Sequence, residues 1–182
     1  DAFRHEKGLP ERFILNLGTV EPRKNVVRLI EAYALLLESA TDEMGDVYLV
    51  IAGGTGWLAD PIYARVRELG LHDRVRFVGY VPEEEKRLWY NAATCFCYPS
   101  LYEGFGLPPL EAMGCGTPVA SSDAFSLPEV GGDAARYFDP HSAEQMVDAL
   151  RPVLSDTELR AEMRSSHIDW GEQLLAAPAQ FE

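Results

Sequence analysis

The stretch VYLVIAGGTGWLADPIYARVRELGLHDRVRFVG, residues 47–79, decides the fold. It opens on a short run of β-branched and apolar residues, 47–53, that ends in glycine. A helical pattern fills 58–70, with Gly70 as its stop. RVRFVG, 74–79, is a second strand pattern. Two strands joined through one helix form a parallel βαβ unit.

The alternation continues in both directions. Towards the amino terminus, FILNL (13–17) reads as a strand and NVVRLIEAYALLLES (25–39) as a helix. Towards the carboxyl terminus, PEEEKRLWYNAA (82–93) opens on a proline and three acids, which suit a helix N-terminus. Strand patterns TCFCYPS (94–100), TPVASS (117–122) and ARYF (135–138) then alternate with a short helix, PPLEAMG (108–114), and a helical turn, SLPEV (126–130). Two helices, 141–155 and 156–168, close the pattern. Six strands in strict alternation predict the α/β class: a single Rossmann-like domain with a six-stranded parallel sheet flanked by helices. Residues 1–11 read as a lead-in, 12–170 as the domain and 171–182 as a C-terminal tail.

The chain has 182 residues, enough for a full core, with 47% hydrophobic and 25% charged residues. Its formal net charge is −13, which argues against a nucleic-acid partner, since phosphate backbones need clustered Lys and Arg. A phosphate-bearing small molecule needs only a few local donors. The three cysteines, Cys95, Cys97 and Cys115, form no disulfide framework, and Cys95 and Cys97 read as buried thiols. No run of about 18 apolar residues would span a membrane, and no secretory leader is recognised at the start, so a cytoplasmic setting is expected.

In a doubly wound sheet, ligands bind beyond the carboxyl ends of the strands. Four post-strand segments should therefore share one rim: GTVEPRKN (18–25), GGTGW (53–57), GYVP (79–82) and SLYEGFGLPP (100–109). In the first, Arg23 and Lys24 precede a helix whose dipole opposes them. Either an anion bridges them, as in a diphosphate clamp, or they are two solvated cations. GGTGW lacks the full dinucleotide fingerprint and reads as a tight turn, so no NAD is expected. In the fourth, Gly104 and Gly106 let the backbone approach a ligand, and Pro108 and Pro109 suit the first turn of a helix whose N–H groups face the rim. Glu103 and Glu111 are either ordinary loop and helix acids or acceptors for the hydroxyls of a sugar and a ribose. A glycosidase pair is a rival use.

The segment EGFGLPPLE, 103–111, resembles the Glu, seven residues, Glu motif of retaining glycosyltransferases of family four, the group 1 enzymes with the GT-B fold. The resemblance runs through GTVEPRKN, LVIAGG, VRFVGYVP and GTPVASSDAFSLPEVGGDAARYFDP in order, over about residues 12–155. It implies the carboxy-terminal, donor-binding half of such an enzyme. Lys24 would hold the diphosphate and Glu103 the transferred sugar or its leaving phosphate. Gly104, Phe105, Gly106 and Leu107 would offer main-chain donors, and Glu111 would hold the ribose. Tyr80 and Val81 would flank the nucleobase. Gly18 and Thr19 would line the clamp, and Thr19 stands where many members carry Arg, so Arg23 would supply that charge.

The resemblance further implies transfer of a hexose, with a lean to GDP-mannose, to a saccharide or lipid-linked acceptor with retention. No cofactor and no metal are expected, D-x-D being absent. An amino-terminal acceptor domain would be missing, the isolated piece would be inactive, and any contact with the inner membrane would come from the missing half. Other readings are a nucleotide-binding module without turnover, a GT-B sugar-nucleotide epimerase or hydrolase, and a flavodoxin-like or receiver domain. The epimerase or hydrolase would need an acid/base, but His5, His72, His141 and His167 all read as lying away from the rim. A receiver would need an acidic pocket where Gly18, Thr19 and Val20 stand.

Overall fold

The computed structural model describes residues 2–39 and 45–176. Six strands form one all-parallel sheet: β1 (Arg12–Leu17), β2 (Val47–Ala52), β3 (Val75–Gly79), β4 (Cys95–Tyr98), β5 (Val119–Ser122) and β6 (Arg136–Phe138). Their order is β3-β2-β1-β4-β5-β6. The chain therefore winds outward from β1 and restarts at β4 on the other side, and the expected α/β class is the one found. The point where the winding reverses lies between β1 and β4, whose Ile14 and Leu15 pair with Cys95 and Phe96. In this topology a crevice for ligand opens there.

The helices are α1 (Ala2–Glu6), α2 (Val26–Glu38), α3 (Asp60–Glu68), α4 (Lys86–Ala92), α5 (Leu107–Gly114), α6 (Leu127–Gly131), α7 (Ala143–Ser155) and α8 (Thr157–Ala176). They cover both faces of the sheet, which is why β1 is buried from Phe13 through Leu17 and reads as an apolar run broken by Asn16, whose amide donates to Cys97 O at 3.0 Å. Strand alternation divides that run between two core layers. Phe13, Leu15 and Leu17 join Trp89, Tyr90 and Met113 of α4 and α5. Ile14 joins Leu29, Ile30 and Leu36 of α2 and Leu150 and Val153 of α7. Cys95 and Cys97 are buried in this second layer, and burial pushes the Cys95 thiol up to about 12.

Three features add to or differ from expectation. The lead-in carries a helix: α1 docks on α4, with Arg4 donating to Ala92 O at 2.8 and 2.9 Å and Phe3 meeting Trp89 edge-on at 5.4 Å. A guanidinium here satisfies a carbonyl at the end of α4 that no helical N–H can reach. The expected helix over 82–93 splits into a 3-10 turn, Glu83–Glu85, and α4. The last helix runs past the expected boundary at 170 as far as Ala176, and residues 177–182 lie outside the described residues. Among the described residues no helix is long and apolar enough to cross a membrane.

His167 of α8 is fully buried, with Nε2 2.8 Å from Ala134 O. Burial holds its pKa below the ordinary 6.5, and Arg164 adds to that lowering. The unfolded chain therefore takes up the proton first. Stability should be undiminished above about pH 6.5 and fall as pH drops below it, by about 1.4 kcal/mol for each unit of the window. Denaturant titrations at pH 7 and pH 5 should show a larger loss for the wild type than for His167→Gln; equal losses would remove His167 from the acid response.

Candidate functional site

The loops leaving β1, β2, β3 and β4 are bonded to one another along the carboxyl edge. Gly18 N donates to Ala52 O, Val20 N to Gly54 O, Gly53 N to Gly79 O and Leu101 N to Arg23 O. The GGTGW turn is used inside the protein. A Cβ at Gly53, whose φ is +142°, would stand 2.0 Å from Gly18 O. Glycine is needed there because the β1 loop crosses it, which agrees with the reading of a turn.

The loop after β1 forms a 3-10 turn, Pro22–Lys24, and Asn25 follows in the left-handed conformation with φ +56°. The Asn25 amide donates to Pro99 O at 3.1 Å and to Pro140 O at 2.7 Å, tying the β1 loop to the loops after β4 and β6. That placement puts the two cations against Glu103. Lys24 Nζ lies 2.6 Å from Glu103 Oε1 and 2.7 Å from the Tyr98 hydroxyl, and stands 4.9 Å from the Tyr98 ring centroid. Arg23 Nη1 lies 3.0 Å from the same Oε1 and donates to Tyr102 O, while Nη2 pairs with Glu21 at 2.8 Å. Ser100 Oγ and the Tyr98 hydroxyl reach Oε1 at 2.6 and 2.8 Å.

Burial works against the charge on Glu103, but the bonds from Lys24, Ser100 and Tyr98 outweigh it and hold the carboxyl below its usual range. Burial, joined by the carboxylate of Glu103, keeps Tyr98 a neutral phenol well beyond its usual range. Glu103 is thus an ionised carboxylate at neutral pH and not the proton donor that a glycosidase pair requires.

Helix α5 starts at Leu107, one residue earlier than expected, with Gly106 as its N-cap at φ +84°. Pro108 and Pro109 then occupy its second and third positions. Each lacks an N–H, so the first turn offers the rim fewer donors than a helix without prolines. Positive charge at this edge comes chiefly from Lys24 and Arg23. The space beside Gly104 is open, since a Cβ there would meet no atom within 4 Å. Phe105 and Leu107 are exposed.

Glu111 points elsewhere. It accepts from the Tyr90 hydroxyl at 2.8 Å and faces Lys86 at 3.6 Å. With Glu83, Lys86, Arg87 and Tyr90 it lines a cavity of about 460 Å³. Lys86 also pairs with Glu83 at 2.6 Å. The two glutamates of the motif therefore serve neighbouring places: one on the cation cluster, one in a cavity against α4. Tyr80 is 77% exposed, whereas the Val81 side chain is buried in the core, so only the main chain of Val81 can meet a ligand.

His141 is a correction: it follows β6 in the loop whose Pro140 carbonyl binds Asn25, so it sits at the carboxyl edge, exposed. His5 and His72 are exposed elsewhere and His167 is internal. Sequence reasoning missed Tyr98, Ser100, Asn25, Tyr90 and Lys86. Alternation along β4 could have found Tyr98, which shares the side of Phe96 at the strand's carboxyl end. Nothing in the sequence pairs Tyr90 with Glu111.

Comparison with known proteins agrees with this arrangement. The family model "Glycosyl transferases group 1" matches residues 1–170. The O-antigen chain mannosyltransferase B of Escherichia coli is 41% identical over 148 residues, covering 81% of this chain and 38% of that protein. Sucrose-phosphate synthase from Thermosynechococcus elongatus superposes with a TM-score of 0.80 at 30% identity, covering 95% of this chain and 43% of its own. The C-terminal domain of a group 1 family glycosyl transferase, LpcC from Francisella tularensis, has a TM-score of 0.80 at 25% identity and is matched over 89% of its length. This chain thus spans well under half of the full-length relatives and nearly all of an isolated carboxy-terminal domain. The chain belongs to the group 1 glycosyltransferases, as a Rossmann-like carboxy-terminal half of the GT-B fold.

Proposed function

We propose that the chain is the donor-binding half of a retaining hexosyltransferase that takes mannose from a nucleoside diphosphate sugar and passes it to a saccharide or lipid-linked acceptor. The convergence of Lys24, Arg23 and Glu103 beyond β1 and β4, next to the open space at Gly104, carries this reading. As the bond to the anomeric carbon breaks, negative charge grows on the leaving diphosphate. Fixed cations there lower the barrier, with an effect of about 10²–10³ per well-placed donor. Lys24 and Arg23 supply that charge without a metal. Glu103 accepts from hydroxyls of the transferred sugar.

The cavity beside Glu111 takes the nucleoside, with Glu111 accepting from the ribose hydroxyls. Glu83 can accept adjacent N–H groups and Lys86 can donate to a carbonyl, a pairing that suits the edge of guanine better than that of uracil. The printed name of the Escherichia coli relative supports mannose. Exposed apolar side chains crowd the same rim, with Trp57, Leu58, Tyr80, Tyr102 and Phe125 each more than half exposed. Such a surface calls for a covering partner, and a second, acceptor-binding domain fits it. Turnover requires that domain, and the chain alone binds donor without transferring it. The setting is cytoplasmic, with membrane contact left to the other half.

Calorimetric titration with GDP, UDP, GDP-mannose and UDP-glucose tests the reading. The guanine pair should bind more tightly, and Glu111→Ala should weaken it by about tenfold or more, the effect of losing hydrogen bonds to a charged group. A 2′-deoxy analogue should be less sensitive to that substitution. Binding of none of the four, or indifference to Glu111→Ala, would overturn the assignment.

A further inference from the structure

The cations of the clamp are already occupied. Lys24 and Arg23 bring two positive charges, and Glu103 and Glu21 bring two negative ones, at 2.6–3.0 Å. The cluster is neutral as it stands, so it offers little net field to an anion. The Lys24 ammonium has three N–H donors. One meets the Tyr98 hydroxyl and one meets Glu103 Oε1. The Lys24 and Glu103 side chains are only 12% and 11% exposed, so solvent does little to screen the pair. While Oε1 holds its place, a diphosphate meets a Lys24 with one N–H left and a cluster of no net charge.

We propose that Glu103 is a resident counter-anion: the diphosphate of the donor displaces its carboxylate from Lys24 and Arg23, and the displaced carboxylate is then taken up by hydroxyls of the transferred sugar. The inference rests on the proposed function and adds a source of selectivity to it. An intact sugar donor satisfies the displaced carboxylate. A free nucleoside diphosphate, or pyrophosphate, leaves it without hydroxyls. The free terminal phosphate also carries more negative charge than the sugar-esterified one, so it is repelled more strongly. Glu103 thereby makes the clamp prefer the donor over the spent product.

The test is calorimetry with pyrophosphate, GDP and GDP-mannose on the wild type, Glu103→Gln, Ser100→Ala and Lys24→Ala. Glu103→Gln should bind pyrophosphate and GDP roughly tenfold more tightly, the scale expected for removing one partly screened charge. GDP-mannose should gain less, so the ratio favouring the sugar-bearing ligand should fall. Ser100→Ala removes one anchor of the carboxylate and should shift pyrophosphate the same way by about threefold. It carries the test if Glu103→Gln folds poorly. Unchanged or weaker pyrophosphate binding in both variants, with Lys24→Ala still weakening it, would overturn the counter-anion role alone. Pyrophosphate binding indifferent to Lys24→Ala would remove the clamp itself, and the inference with it.

Discussion

Replacing Lys24 with alanine is expected to weaken binding of a nucleoside diphosphate sugar by about 100-fold and to lower the stability of the chain by about 2 kcal/mol. The binding loss follows from geometry. Lys24 is the more buried of the two cations facing Glu103, and it stands where β1 and β4 diverge. Removing it leaves Arg23, whose side chain is 40% exposed and shared with Glu21, as the main positive group. Breaking a well-buried ion pair by deleting one partner costs about 3–5 kcal/mol. The loss here falls below that range, at about 2 kcal/mol, because Ser100, Tyr98 and Arg23 still bond the carboxylate. Calorimetry with GDP-mannose and a denaturant titration check the two numbers separately. Wild-type affinity in the variant would show that the diphosphate lies elsewhere.

Gly53→Ala should be the most damaging single methyl in this part of the fold. The added carbon would stand 2.0 Å from Gly18 O and 2.6 Å from Gly18 C, both backbone atoms that cannot rotate away. The φ of +142° is also one that alanine rarely adopts. Relief requires the β1 loop to separate from the β2 loop, breaking Gly53 N to Gly79 O or Gly18 N to Ala52 O. We expect a loss of at least about 3 kcal/mol, which lowers the thermal midpoint of a chain this long by about 10 °C. The neighbouring Gly54→Ala is the control: no atom lies within 4 Å of its added carbon, and its midpoint should stay near that of the wild type. Equal behaviour of the two variants would mean that the loops tolerate separation.

The parallel sheet and its element order are legible in the chain because hydrophobic period is a local property. VYLVIAG reads as a strand from its β-branched residues and terminal glycine, and Gly70 and the Pro82 segment punctuate the helices around it. The rim could also be foreseen, since in a doubly wound sheet the post-strand loops must share one edge. Glu103, Lys24 and Arg23 could be named in advance from residue type and from the resemblance that EGFGLPPLE carries, and the structure places the three in contact.

Contacts across long separations were not legible. Lys24 and Tyr98 are 74 residues apart, and Tyr90 meets Glu111 only because α4 and α5 pack on the same face of the sheet. The prolines of α5 look like helix starters in the chain, and the helix begins one residue earlier, at Leu107. Period, glycine placement and residue type act over a few neighbouring residues and were sufficient for class, strand count and motif. Charge neutralisation is a sum over groups brought together from distant loops. Tertiary structure alone therefore decided that Lys24 and Arg23 are paired with Glu103, and that the two glutamates of one motif face different places.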